Sequence, residues 1–319
     1  MTTYRALKGY SIKSISSDPS NPKEGQVWYN NSAKTLKIRP KIGAWASGGN
    51  LNSASRFGGG IGTQTAAAKF SGTGTEKVNE EYDGSSWTSA GAMNTNHFIC
   101  ASFGTQTAGV CAGGHKSPTP RAIASTEEYD GSSWSSVEDM PAGRQYPQGA
   151  GVLTAGLVMG GLLDPPNTPI VTTFEYDGTD WTSGGDMNNG RYGNNSAGGT
   201  QTAAWIVGGA GAGNKTEEYN GTAWTEVNTI GTSRYSGAGC GPQTDAQFAG
   251  GTPPTTTKTE FYDGTTWTEG ADIGTARYGI HHSPAGTGGL SVISGGGPGT
   301  KNNTEEFTLA ETTRSIDVS

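Results

Sequence analysis

The sextet Tyr-Asp-Gly-x-x-Trp constrains this chain more than any other feature, because it returns at near-constant spacing. It first reads Tyr82-Asp83-Gly84-Ser85-Ser86-Trp87. It recurs from Tyr129 to Trp134, from Tyr176 to Trp181, from Tyr262 to Trp267, and from Tyr219 to Trp224 with Asn220 replacing Asp. Asp-Gly tolerates the positive φ of a tight turn. Tyr and Trp combine strand propensity with large apolar area. Each copy therefore reads as a hairpin with one aromatic on each arm. A single hairpin cannot bury those rings, whereas copies packed side by side can.

The tryptophans Trp45, Trp87, Trp134, Trp181, Trp224 and Trp267 are spaced by 42, 47, 47, 43 and 43 residues. A propeller blade repeats every 40–50 residues or so, roughly this period. Ten or eleven residues after each Trp stands a basic residue: Arg56, His97, Arg144, Arg191, Arg234, Arg277. An aromatic follows each: Phe57, Phe98, Tyr146, Tyr192, Tyr235, Tyr278. Then come a run of small residues, a turn such as Gly104-Thr105-Gln106-Thr107, an apolar strand ending in a Gly pair, and Thr-Glu-Glu-Tyr or a variant. Each unit thus contains four strands, a to d. Gly and Ala on strand a suit convergence on a narrow axis, and the outer aromatics fill the widening wedge between blades.

The expected fold is all-β: a six-bladed propeller of four antiparallel strands per blade, with a short N-terminal β-hairpin appendage. Hydrophobic residues make up only 32% of the chain, against roughly 45–50% in ordinary domains. That suits several small repeated cores rather than one large one. The sixth a–b–c set ends at Phe307 with no hairpin after it, and Trp45 lies on a d-type strand without a hairpin of its own. The Trp45 strand is therefore expected to complete the last blade, which covers two sheet edges at once. The expected boundaries are 1–40 for a docking segment, 41–308 for the propeller and 309–319 for a polar tail.

Net charge is −7 and there is no basic run, which excludes a protein that tracks nucleic-acid phosphates. The most apolar window, 149–163, is too short and Gly-rich to insert in a membrane. The first nine residues lack the apolar core of a signal peptide, so synthesis without a leader is expected. Three cysteines are too few for a disulfide framework. Cys100 and Cys111 flank the 104–107 turn symmetrically, as two small buried hydrophobes or as a bridged pair.

The four histidines, His97, His115, His281 and His282, form no metal-ligand spacing with Cys or Asp. No nucleophile-elbow or phosphate-binding motif is present. The Glu pairs 80–81, 127–128, 217–218 and 305–306 recur too regularly for a glycosidase dyad and suit the ordering of an Arg or a backbone amide. No catalytic residue, metal or cofactor is expected. The repeated Arg or His allows two readings. It either forms a cationic ring that binds ligand together with Tyr192, Tyr235 and Tyr278, or pairs with Glu and holds the fold.

The Gly pair, Tyr, Trp and following Arg resemble the kelch repeat, also found in galactose-oxidase-like propellers, over about 45–307. The segment Asp18-Pro19-Ser20-Asn21-Pro22-Lys23-Glu24-Gly25-Gln26-Val27-Trp28-Tyr29-Asn30 resembles the N-terminal segments of bacteriophage virion proteins, especially tail-fibre-like and structural proteins of marine phages. The resemblance implies a non-enzymatic virion protein, made in the host cytoplasm and present in several copies. Residues 1–40 would meet other virion proteins, and the propeller would meet host-surface polysaccharide. A capsid decoration and a glycan-acting enzyme are the alternatives. The face carrying the d–a and b–c loops, including 115–125 and 162–172, is the expected working face.

Overall fold

The computed structural model describes residues 12–18, 27–38, 43–116, 122–193, 196–309 and 314–316. The chain divides into two compact units, Met1–Ala44 with Leu309–Ser319, and Trp45–Thr308.

In the first unit β1 (Lys13–Ile15) pairs in parallel with β2 (Val27–Asn30), and β2 forms a hairpin with β3 (Thr35–Ile38). Trp28 is fully buried. Its Nε1 donates to Asp18 at 3.0 Å, as Asn30 Nδ2 does at 2.7 Å. These bonds, led by that from Lys37, hold the exposed Asp18 carboxyl down at about 2. The last strand, Arg314–Ile316, pairs antiparallel with β3. That pairing places these three residues of the expected polar tail on the open edge of β3.

The second unit is six four-stranded sheets, each in the order a-b-c-d. The first holds β5 (Gly59–Thr63), β6 (Ala66–Phe70), β7 (Asn79–Tyr82) and β8 (Trp87–Ala90). The second holds β9 (Ala101–Thr105), β10 (Ala108–Ala112), β11 (Thr126–Tyr129) and β12 (Trp134–Val137). The third holds β13 (Gln148–Val152), β14 (Ala155–Met159), β15 (Thr173–Tyr176) and β16 (Trp181–Ser183). The fourth holds β17 (Ala197–Thr200), β18 (Ala203–Val207), β19 (Thr216–Tyr219) and β20 (Trp224–Val227). The fifth holds β21 (Ala238–Cys240), β22 (Ala246–Ala249), β23 (Thr259–Tyr262) and β24 (Trp267–Glu269). The sixth holds β25 (His281–His282), β26 (Leu290–Ser294), β27 (Thr304–Leu309) and, as its fourth strand, β4 (Gly43–Ser47). The Gly48, Leu51 and Ser55 amides donate in turn to the Thr304, Asn302 and Lys301 carbonyls at 2.8–3.0 Å, so the chain leaving β4 runs antiparallel to that entering β27.

The repeated sextet folds as its chemistry dictates. Asp83 Oδ1 accepts the amides of Ser85 and Ser86, each at 2.8 Å, and Gly84 takes φ +92°. Asn220 does the same for Thr222 and Ala223 at 3.0 and 2.9 Å, so the turn needs the carbonyl-type oxygen and not the charge. The turn sets the register Tyr82↔Trp87, and the two rings stack at 4.9 Å. The other four copies repeat the contact at 4.6–5.0 Å.

Strand a of each sheet packs on strand a of the next, from β5 through β9, β13, β17 and β21 to β25, and β25 packs on β5. The approach is close. A Cβ on Gly60 would lie 2.1 Å from the His282 carbonyl oxygen, and one on Gly149 would lie 2.7 Å from that of Ser102. Small residues on strand a are therefore a steric requirement. Apolar side chains fill the wedges, such as Ile61, Phe70, Cys100, Cys111 and Trp134. Cys100 and Cys111 are free thiols, buried, with sulfurs 2.7 Å apart.

The Gln of the a–b turn has a role beyond the turn. Gln106 Nε2 donates to the carbonyls of Ala67 and Tyr82 in the preceding sheet at 2.9 and 3.0 Å. Gln201 and Gln243 make the same pair of bonds to Gly156 with Tyr176, and to Ala204 with Tyr219. Gln64 reaches back to Phe307 of the sixth sheet at 2.9 Å. Each Gln thus clamps strands b and c of its neighbour. Gln106→Ala should cost about 1–3 kcal/mol by leaving two carbonyls without donors, measured as a lower urea midpoint with unchanged slope.

Candidate functional site: an aromatic collar

The repeated basic residues are buried. Arg144, Arg191, Arg234, Arg277 and His97 are each 0–1% exposed. Arg191 pairs with Glu217, Arg277 with Glu305, and Arg234 with Glu260 at 2.5 Å. His97 lies 3.3 Å from Glu127. The same carboxylates accept amides from the loop leading into their own sheet: Glu217 from Asn188 and Asn189 at 2.7 and 3.1 Å, Glu127 from Asn94 and Thr95 at 2.8 and 2.6 Å. Burial raises the Glu217 carboxyl, but these amides and Arg191 outweigh it and hold the group below the usual range. In the third sheet Phe174 replaces the carboxylate. Arg144 lies 4.2 Å from that ring and donates to the Thr172 carbonyl at 3.0 Å, and burial draws its guanidinium down to about 10. These five residues therefore hold loops to strands and do not form the solvent-facing cationic ring that one reading of the sequence allowed.

Arg56 is out of step with the other five. The position of the buried base is filled in the first repeat by Ser55, whose carbonyl accepts the Gly296 amide as the Arg277 carbonyl accepts that of Gly251. Glu80 is served instead by Lys69 at 3.8 Å and by the amides of Asn52 and Ser53 at 2.7 and 3.1 Å. Arg56 stands one residue further on, equivalent to Phe98, Gln145, Tyr192, Tyr235 and Tyr278, as their matching backbone bridges demonstrate.

Those residues, with Phe57 and Tyr146, surround the axis at the end of the repeat opposite the a–b turns. Phe57, Phe98, Tyr146, Tyr192, Tyr235 and Tyr278 are all half-buried. Four neighbouring pairs touch: Tyr278–Phe57 at 5.7 Å, Phe57–Phe98 at 5.9 Å, Tyr146–Tyr192 at 5.6 Å and Tyr192–Tyr235 at 6.4 Å. Backbone bonds tie the residues beneath them. Ile99 donates to Phe57, Phe57 to Gly279, Gly279 to Ser236, and Gly193 to Tyr146, at 2.6–3.4 Å. Phe57, Ile99, Tyr146 and Ser236 hold φ of +54° to +62° there, a conformation costly for such side chains. The collar is thus two runs of touching aromatics, Tyr278–Phe57–Phe98 and Tyr146–Tyr192–Tyr235, on hydrogen-bonded backbone. The sequence displayed its aromatics, but not that they would meet one another.

The b–c loop 162–172 lies at the same end and exposes Leu163 (38%). Of the loop 115–125, residues 117–121 lie outside the described residues. At the opposite end the a–b turns of the third to fifth sheets and the 284–287 turn surround a cavity of about 600 Å³. Its walls include Val152, Thr200, Thr202, Pro242, Pro284 and Thr287, and no lining side chain is ionisable. The sequence pattern gave no sign of it, because turns of Gly and Thr carry no chemical signature. Among the described residues no group of three His, Cys, Asp or Glu could hold a metal. Among the described residues no helix is long and apolar enough to cross a membrane.

No family model matches this chain, and no curated protein matches it. Among solved structures it is similar to that titled "Structure of YjhT", with a TM-score of 0.66, 12% identity, and coverage of 84% of this chain and 99% of that one. At that identity the likeness concerns the fold alone. Together with the repeated four-stranded sheets, it supports a β-propeller.

Proposed function

We propose that this chain is a non-enzymatic module of a bacteriophage virion, a tail-fibre or appendage protein whose aromatic collar binds host-surface polysaccharide. In this reading the six sheets are six kelch-like blades of a ring closed by β4. Gln64, Tyr82 and Trp87 of the first sheet all bond to residues of the sixth, Phe307, Glu306 and Thr304, which supports the closure. The observation that carries the function is the collar. Six half-exposed rings on a stiff backbone offer apolar faces to sugar rings with little ordering cost. The chain also enters the repeat at the start of β4 and leaves it at the end of β27, the end away from the collar. The virion assignment itself rests on the resemblance of residues 18–30. Several copies on one particle would multiply a weak contact.

The triple variant Tyr192→Ala, Tyr235→Ala, Tyr278→Ala tests this. Host-cell adsorption of the purified protein should fall at least about tenfold, with melting little changed and no reducing sugar released by either protein. Adsorption at the wild-type level would remove the collar from the account. Release of sugar by the wild type would make it an enzyme.

A further inference from the structure

We infer that Arg56 makes one pole of the collar selective for carboxylated saccharide; this deepens the proposed function and rests on it. In the first repeat the basic residue stands one position beyond the buried site. Twelve residues occupy the two collar positions of the six repeats: Arg56 and Phe57, then Phe98 and Ile99, Gln145 and Tyr146, Tyr192 and Gly193, Tyr235 and Ser236, Tyr278 and Gly279. Arg56 alone among them is charged. Its guanidinium has no part in the buried carboxylate network, because Lys69 stands beside Glu80 and Ser55 fills the buried site, bonding to His281 Nε2 at 2.8 Å. No carboxylate pairs with it among the described residues. The guanidinium carbon lies 5.3 Å from the centre of the Phe57 ring, and Nη1 donates to the Tyr278 hydroxyl at 3.3 Å. Nε is buried without a hydrogen-bond partner. An arginine oriented by two aromatic rings, with donor capacity left over, is built to take a carboxylate. A sugar stacked on Phe57 or Tyr278 would bring its carboxylate within reach of that fork, whereas the Tyr146–Tyr192–Tyr235 side would accept a neutral ring.

The test uses the full chain and a panel of uronic-acid polymers, polygalacturonate and alginate among them, each beside its carboxyl-esterified, neutral counterpart. Wild-type protein should bind at least one acidic polymer about tenfold more tightly than its ester at low salt, and the gap should shrink as salt rises. Arg56→Gln should abolish the preference and leave binding of the ester unchanged. Arg56→Lys should keep part of it. Both variants should melt within a few degrees of wild type, since Arg56 has no partner in the buried network. A preference that survives Arg56→Gln, equal wild-type binding of acid and ester, or equal loss of both in Arg56→Gln would each overturn the inference while the collar stands. Unchanged binding of both polymers by the triple Tyr variant, or no binding of any polymer by the wild type, would overturn the collar reading and this inference with it.

Discussion

Acidification from pH 7 to pH 4 should destabilise the repeat by on the order of 5 kcal/mol, comparable to the whole stability of many domains. The cause is the adjacent pair His281 and His282 on β25, where the sixth sheet packs on the first. Burial drives both imidazoles down to about 3, with Lys69 adding repulsion at His281. Both nitrogens of His282 are buried without partners. A histidine held below its unfolded value of about 6.5 contributes full stability above that pH. The contribution drains away as pH falls toward 3, because only the unfolded chain accepts the proton. The turn carboxylates act later: Asp83 and Asp130, held at about 2 by their amide and hydroxyl donors, matter only below about pH 4. His282→Leu removes two unsatisfied nitrogens from a buried site. It should match or exceed wild-type stability at pH 7 and lose much less between pH 6.5 and 4.5, as read by urea midpoints across that range. A variant with the wild-type pH slope would remove His282 from the explanation.

Glu217→Ala should cost about 3–5 kcal/mol, because it leaves Arg191 buried and uncompensated while two loop amides lose their acceptor. Glu217→Gln should cost less, since its one amide oxygen can still accept one of the two loop amides, which Glu217 holds on separate oxygens. The contrasting site is the third sheet, which already lacks the carboxylate. There Arg144→Met should be tolerated far better than Arg191→Met, because no buried anion is left behind. Equal losses from Arg144→Met and Arg191→Met in thermal melts would contradict the assignment of Arg191 to charge compensation.

The architecture was legible because a strong local signal, the Tyr-Asp-Gly-x-x-Trp hairpin, repeats at blade spacing. Its turn oxygen, Gly and stacked rings are all fixed within six residues, so sequence alone determines them. The wedge-filling Trp and the small residues of strand a were legible for the same reason, since the period places them in equivalent positions. What was not legible depends on neighbours far apart in the chain. Residue type grouped Arg56 with the other repeated bases, but it stands eleven residues after Trp45 where each of the others stands ten after its Trp. Ser55 therefore occupies the buried site. The Gln of the a–b turn looked like a turn former, and only the adjacent sheet reveals it as a clamp. The polar pair at His281 and His282 was visible as residues, but not that it lies where the first and last sheets meet.

The most direct test of the account is a structure of the protein with an oligosaccharide prepared from the host surface. Density should lie across the collar, over Tyr192, Tyr235 and Tyr278 or over Phe57 beside Arg56. The saccharide should be intact. Density confined to the opposite cavity beside Thr200 and Pro284, with the collar bare, would contradict the account.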